Sequence, residues 1–340
     1  MTRNLLRKRK TLFFVLLLLY FLLVIGAISM GAANIKPYDV FMEILKLIPY
    51  IGEYIDTTSA NTNFLILFMI RMPRMIMASV VGMGLAVVGT AFQSLFKNPM
   101  ADPYVLGISG GAALGAALAI ATHLPPTLFA FMGAVVTTVM VYLIVQVRGR
   151  AATVYLLLVG SAIGFLTSSL ISIIMVFNQE KASRIVFWMM GSFNASSWEN
   201  IYIAAPVVLI GTIIIYFFHK DFNLMLTGEE TAKSLGVETE KLKKLIIIIA
   251  SLMIAVSVSF SGLIGFVGFL VPHMARIIVG PNNKVLIPFS ALGGAIFLLL
   301  SDTIGRTIAA PGELPVGAVT ALIGSPYFIY LLIKMKKRSG

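Results

Sequence analysis

The chain contains no cysteine, only three histidines and only 14 acidic residues among 340. Without thiols there are no disulfides and no thiolate metal sites. His123, His219 and His273 lie far apart, with no second histidine or carboxylate at ligand spacing, so no metal site is expected. Also missing is the Gly-x-x-x-x-Gly-Lys-Ser/Thr loop whose backbone amides wrap nucleotide phosphates. No cluster of His, Ser and carboxylate residues marks a catalytic centre. The chain reads as a non-enzyme that binds no cofactor of its own.

Apolar sequence is what abounds: 59% of residues are hydrophobic and 12% charged. One soluble core cannot enclose that much apolar surface, so the surplus faces lipid, where a spanning helix needs roughly 20 apolar residues. Hydrocarbon offers the backbone no hydrogen-bond partner, which leaves helices or closed barrels, and these runs are too long for barrel strands. Ten segments qualify, at about 11–33, 63–95, 104–122, 125–146, 153–177, 200–219, 244–266, 268–280, 284–303 and 314–334. The expected fold class is all-α, a polytopic membrane protein of about ten transmembrane helices in a single domain over residues 1–340.

The net charge of +12 sits in short clusters between these runs, as topology signals do, and not along one face as a nucleic-acid footprint would. Ten spans with the amino terminus inside put eighteen of the 26 basic residues on the inner side. The positive-inside rule then fits ten spans with both termini cytoplasmic, and the expected setting is a bacterial inner membrane. Arg3, Arg7, Lys8, Arg9 and Lys10 precede the apolar run Leu12–Met30. That run exceeds the roughly 7–15 residues of a signal-peptide core, so a retained first helix is expected over a cleaved leader.

The second segment is too long for one simple span, and Pro73 stands where a span beginning at Arg74 would have its first turn. Gly89, Phe96, Pro99 and Gly107 recur 173 residues later as Gly262, Phe269, Pro272 and Gly280. That offset equates helices 2 and 7, five spans apart, which predicts an inverted repeat of helices 2–5 (about 63–177) and 7–10 (about 244–334). Between them, 221–243 holds the longest polar break. There Thr227 and Glu230 read as a capping box and Gly236 as a helix stop, giving a short helix in a loop.

Several stretches occur in a telling order: Arg71-Met-Pro-Arg74, Gly82-Met-Gly-Leu-Ala-Val-Val-Gly89, Asn98-Pro-Met-Ala-Asp-Pro-Tyr-Val-Leu-Gly107, Gly228-Glu-Glu-Thr-Ala-Lys-Ser-Leu-Gly236, Gly265-Phe-Val-Gly-Phe-Leu-Val-Pro-His-Met-Ala-Arg276, Asp302-Thr-Ile-Gly-Arg306 and Glu313-Leu-Pro-Val-Gly317. The ordered set resembles the FecCD permeases, importers of vitamin B12, haem and ferric siderophores. The resemblance implies a homodimer enclosing one pathway, two ATP-binding cassette subunits that carry ATP and magnesium, and an extracytoplasmic substrate-binding protein. It implies that Arg71, Arg74 and Arg306 receive carboxylates of the binding protein, a task for which guanidinium is well shaped. It places a cytoplasmic gate at Asn98 and Met100 with a second at Thr153 and Val154, where Val154 departs from the expected small polar residue. It assigns ATPase coupling to Thr227, Gly228, Glu229, Glu230, Ala232, Leu235 and Gly236. Two other readings stand beside this one: an ion-coupled secondary transporter, for which Asp102 and Asp302 are the attraction, and a zinc- or manganese-type permease.

Overall fold

The computed structural model describes residues 2–31, 60–146 and 153–339, together with Tyr38, Val40 and Met42. All regular structure among them is helical. Helix α1 spans Thr2–Ser29; Ala60–Leu65, a π-helical turn Ile66–Arg71 and Met72–Leu95 then run on as one long helix, α2. There follow α3 (Ile108–Thr122), α4 (Pro126–Gln146), α5 (Thr153–Phe177), α6 (Gln179–Met189) and α7 (Trp198–Phe217). The remainder are α8 (His219–Thr227), α9 (Glu229–Ser234), α10 (Thr239–Ser261), α11 (Val267–Val279), α12 (Asn283–Ile308) and α13 (Val316–Ser339). Each of the ten apolar segments holds a helix; α6, α8 and α9 are additional.

The π-turn is where proline chemistry shows. Pro73 has no N–H to close an α-turn, and the ladder loosens just before it, with the Met72 amide reaching back five residues to the Leu67 carbonyl. Helix α2 therefore passes through the break without stopping. It forms the axis of the bundle, with 89% of its most apolar stretch buried, whereas only 11% of α1 is buried and its Phe14, Leu18 and Leu22 face outward. Small residues let neighbours approach α2. A Cβ added at Gly82 would run into the Gly294 carbonyl of α12, and one at Gly89 into the Gly268 carbonyl of α11. Close backbone approach through glycine is what binds helices where lipid supplies no hydrophobic drive. Polar residues within the spans close on their own helix, as Ser79 does on the Met75 carbonyl and Thr90 on that of Ala86, each at 2.9 Å.

Helices α3 and α11 have 15 and 13 residues. At about 1.5 Å per residue each covers only about 20 Å, short of a hydrocarbon core of about 30 Å. Chain that dips back to mid-depth supplies the rest. After α2 ends, residues 96–107 turn back so that Pro103 lies against Gly268, which is itself packed on the Leu85 carbonyl in the middle of α2. Residues 262–266 do the same after α10, and the Ile264 amide donates to the Tyr104 hydroxyl at 3.1 Å, joining the two broken regions. Irregular backbone at such depth is tolerated where protein or a cavity surrounds it.

The packing is paired in the manner of an inverted repeat. Helix α2 packs on α12 and α11, and its counterpart α10 packs on α4 and α3; α3 lies along α4 as α11 lies along α12. Helix α2 ends beside α8, through Ser94, Asn283 and Asn223, and α10 begins beside α9, through Lys243 and Glu229, so the two run in opposite directions. The residue matches at an offset of 173 are, however, a coincidence. Gly89 is inside α2 whereas Gly262 caps the end of α10, and Gly107 opens α3 whereas Gly280 closes α11. The paired helices end instead at Leu95 and Ser261.

Candidate functional site: a welded lever and a buried arginine cluster

At one end of the bundle, helices α8 and α9 form a lever. Phe222 and Met225 anchor α8 in the core, and Ala232 anchors α9, all three essentially inaccessible. Gly228, at φ 145°, makes the sharp joint between them in a region where a side chain would be strained. Gly236, at φ 90°, ends α9 in a Schellman motif: its amide donates to the Lys233 carbonyl (3.0 Å) and that of Val237 to Ala232 (2.9 Å). The expected capping box does not form. Thr227 is the last residue of α8, its hydroxyl turned back on the Leu224 carbonyl at 2.8 Å, and Gly228 takes the N-cap position.

A charged pair welds the lever to α10. Glu229 Oε1 accepts from Lys243 Nζ at 2.7 Å and from the Thr239 hydroxyl at 3.4 Å, with Lys233 at 3.7 Å. Lys243 is 5% exposed, so Glu229 is the partner that makes its burial tolerable. Burial alone would raise the Glu229 carboxyl; the hydrogen bond and charge of Lys243, with Lys233 and Thr239, overcome it and hold the group below its ordinary range. Because the folded-state value is depressed, the stabilisation is present above the unfolded value of about 4.3 and is lost as pH falls through the lowered one. Glu229→Gln therefore destabilises the lever by about 1–2 kcal/mol at pH 7, a figure discounted for partial exposure of Glu229. Hydrogen exchange of residues 229–243 reads the effect, and the gap from wild type closes as pH falls through the lowered value.

Beneath the lever runs an amide chain absent from the sequence reading. The Asn223 side chain accepts from the Asn283 backbone at 2.8 Å and donates to Asn282 at 3.1 Å, while Ser94 donates to Asn283 at 3.0 Å. It ties α8 to the end of α2 and the start of α12. Three asparagines far apart in sequence carry no periodic signal, and only the fold brings them together.

The opposite end holds the three arginines. Arg71, Arg74 and Arg306 are 4%, 8% and 5% exposed, and in this conformation none presents an open guanidinium at the surface. Arg74 grips Asp302 with two nitrogens, at 2.8 and 3.0 Å, and meets Glu313 at 2.9 Å and Asn194 on its other side. Arg71 donates to the Ile28 carbonyl at 2.6 Å and Arg306 to that of Ala27. Those are last-turn carbonyls of α1, which has no basic residue there of its own. Cations from α2 and α12 thus cap a helix end that carries unpaired acceptors and partial negative charge. Asp302 also lies 4.0 Å from Arg306, four residues on in the same helix. The grip of Arg74 on Asp302 spans 228 positions and was not legible in the sequence.

Between the ends lies the broken segment after α2. The Asn98 carboxamide accepts from the Met100 amide at 2.9 Å, and Asp102 caps the Pro103–Leu106 turn through the Tyr104 amide at 2.8 Å. Met100 lines two cavities, one of about 630 Å³ shared with Asn98, Ser161 and Thr167, another of about 350 Å³ against Phe266 and Phe328. Thr153 and Val154 open α5, but their side chains and residues 147–152 lie outside the described residues. Asp102 and Asp302 are both committed to structural partners, and no group of His, Asp or Glu among the described residues is arranged to hold a metal ion.

A family model, the FecCD transport family, matches residues 16–334. The chain belongs to that family. Among curated relatives of this FecCD protein, the cobalamin import system permease BtuC of Halobacterium salinarum is 42% identical over 269 residues, 77% of this chain and 72% of the relative. The hemin transport system permease HmuU of Yersinia pestis is 34% identical over 336 residues, 96% of each chain. A solved metal-chelate-type ABC transporter, in an inward-facing conformation, superposes with a TM-score of 0.83 at 31% identity, covering 96% of this chain and 99% of that one. The FecCD protein is thus a multi-pass membrane permease of the ABC-transporter class.

Proposed function

We propose that this chain is the pathway-forming subunit of an ATP-driven importer, working as a homodimer with two separate ATP-binding cassette subunits and an extracytoplasmic substrate-binding protein. The cargo is a bulky iron chelate, haem or cobalamin, in keeping with the cobalamin and hemin relatives. The observation that carries the reading is the lever. A rigid polar helix pair is fixed to α2, α10 and α12, its outer surface exposed, in a chain without a nucleotide-binding loop of its own. ATP and magnesium are bound by the partner subunits, whose closure pushes on Thr227, Gly228, Glu229, Glu230, Leu235 and Gly236, while Ala232 holds the short helix to the bundle from its buried side.

The lever end, with both termini, faces the cytoplasm, as the basic clusters favour. The halves 63–177 and 244–334 rock about the lever segment 221–243. Asn98 and Met100, with Thr153 and Val154, form the cytoplasmic gate, and the position of Met100 between two cavities suits that task. The binding protein docks at the arginine end, around Arg71, Arg74 and Arg306. A docking carboxylate reaches Arg74 by displacing Glu313, the more exposed of its two carboxylate partners.

Reconstitution tests the whole reading. Liposomes holding the permease, its ATPase and its binding protein are expected to take up cyanocobalamin, haemin or a ferric siderophore on ATP, with inhibition by vanadate. Concentrative uptake by the permease alone on an ion gradient would overturn it.

A further inference from the structure

A third cavity, of about 670 Å³, opens at the lever end between α1, Tyr216 of α7 and the start of α12. Arg9, Lys10 and Lys284 stand around it, and Phe13, Pro288 and Phe289 are among its walls. Phe13 and Phe289 meet edge to face at 5.4 Å, fixing α1 against α12. None of the three cations pairs with a carboxylate among the described residues. The cavity borders the amide chain beneath the lever at Asn282, and its three cations belong neither to that chain nor to the arginine cluster.

We infer that the cavity seats a phospholipid with an anionic headgroup. Three observations combine. Arg9 and Lys10 immediately precede the apolar run of α1, and Lys284 lies in the first turn of α12, so the charges sit at headgroup level. The aromatic and proline walls continue from that level along the apolar run, where acyl chain lies. The side is open to lipid, because α1 is the least buried of the spans. A basic pocket between spanning helices, apolar below and cationic above, matches an anionic lipid in both charge and polarity, whereas a zwitterionic headgroup, its phosphate offset by its own ammonium, gains less from three unpaired cations. The volume, within the range of small-molecule sites, accommodates a headgroup and the upper part of its chains. Bound there, the lipid joins α1 to α12 on the side away from the bundle axis.

The test is native mass spectrometry of the permease purified in its own assembly and offered phosphatidylglycerol or phosphatidylcholine. Wild type is expected to retain phosphatidylglycerol in preference, and Arg9→Gln/Lys10→Gln/Lys284→Gln to lose that preference by on the order of tenfold or more. Lys284→Glu alone, an exposed substitution, moves the result in the same direction, so the outcome does not hang on the triple variant. Lys97→Gln/Lys220→Gln/Lys241→Gln, which removes equal charge elsewhere, keeps the preference. Equal retention of the two lipids by wild type, or an undiminished preference in both Lys284 variants, overturns the inference. So does complete displacement by millimolar inorganic phosphate, which would mark a free-anion site.

Discussion

Asp302→Ala is expected to destabilise the permease by about 3–5 kcal/mol, the cost of leaving a buried cation without its counter-charge. The residue is 1% exposed and lies between two buried guanidinium groups, accepting three contacts from Arg74 at 2.8–3.1 Å and facing Arg306 at 4.0 Å. Removing it leaves Arg74 with Glu313 and Asn194 only, and turns Arg306 wholly toward α1. The seam between α2 and α12 should open at this end, and the cap on α1 with it. Glu313→Gln is the natural comparison, because Glu313 contacts the same guanidinium from a side chain that is 35% exposed. Solvent screens that pair, so its loss costs about 1 kcal/mol or less. Thermal unfolding of the detergent-purified protein separates the two: Asp302→Ala melts far below Glu313→Gln. Equal melting would mean that the cluster does not hold the helices together. The same geometry explains why Arg74→Glu is a poor probe of docking, since it sets three carboxylates against one another inside the protein and tests folding first.

The ten spans were legible because hydrophobicity and length suffice to place them, and because lipid permits little other than helices. The half-helices α3 and α11 were legible as short segments, though nothing local said that the chain before them turns back to mid-depth. That requires Pro103 to meet Gly268, a contact between halves of the chain. Helix α6 escaped notice because only Ile185 is buried along it and its sequence, Gln179-Glu-Lys-Ala-Ser-Arg-Ile, lacks a spanning run. The arginines were found by composition, since a charge near an apolar run stands out. Their partners were not, because Asp302, Glu313 and the α1 carbonyls come from three separate regions. At the short helix of the lever, the Thr-x-x-Glu spacing of 227–230 suggests a capping box, but the glycine at 228 takes the cap position and Thr227 closes the helix before it.

Leu235→Asp is expected to abolish ATP-driven uptake, to less than a tenth of wild type, while leaving the permease itself as stable as before. Leu235 sits at the tip of the lever, 61% exposed, flanked by the buried anchors Ala232 and Val237 and held in place by the Schellman turn at Gly236. A large apolar side chain held out on a rigid mount is suited to enter a pocket on a partner subunit. An aspartate there leaves the fold within about 0.5 kcal/mol of wild type, as surface changes away from the core do. Under the proposed coupling it puts an unpaired carboxylate into the ATPase contact, a loss of about 2 kcal/mol or more at a central anchor and so roughly thirtyfold in affinity for the ATPase. Ala232→Asp distinguishes docking from folding, because that carboxylate would be buried against the bundle and should lower the melting temperature as well as uptake. Co-purification of the ATPase, melting temperature and vanadate-sensitive uptake, measured on the same preparations, resolve the cases. Wild-type uptake by Leu235→Asp would show that the ATPase grips some other face of the lever, leaving the exposed Glu230 side as the next surface to alter.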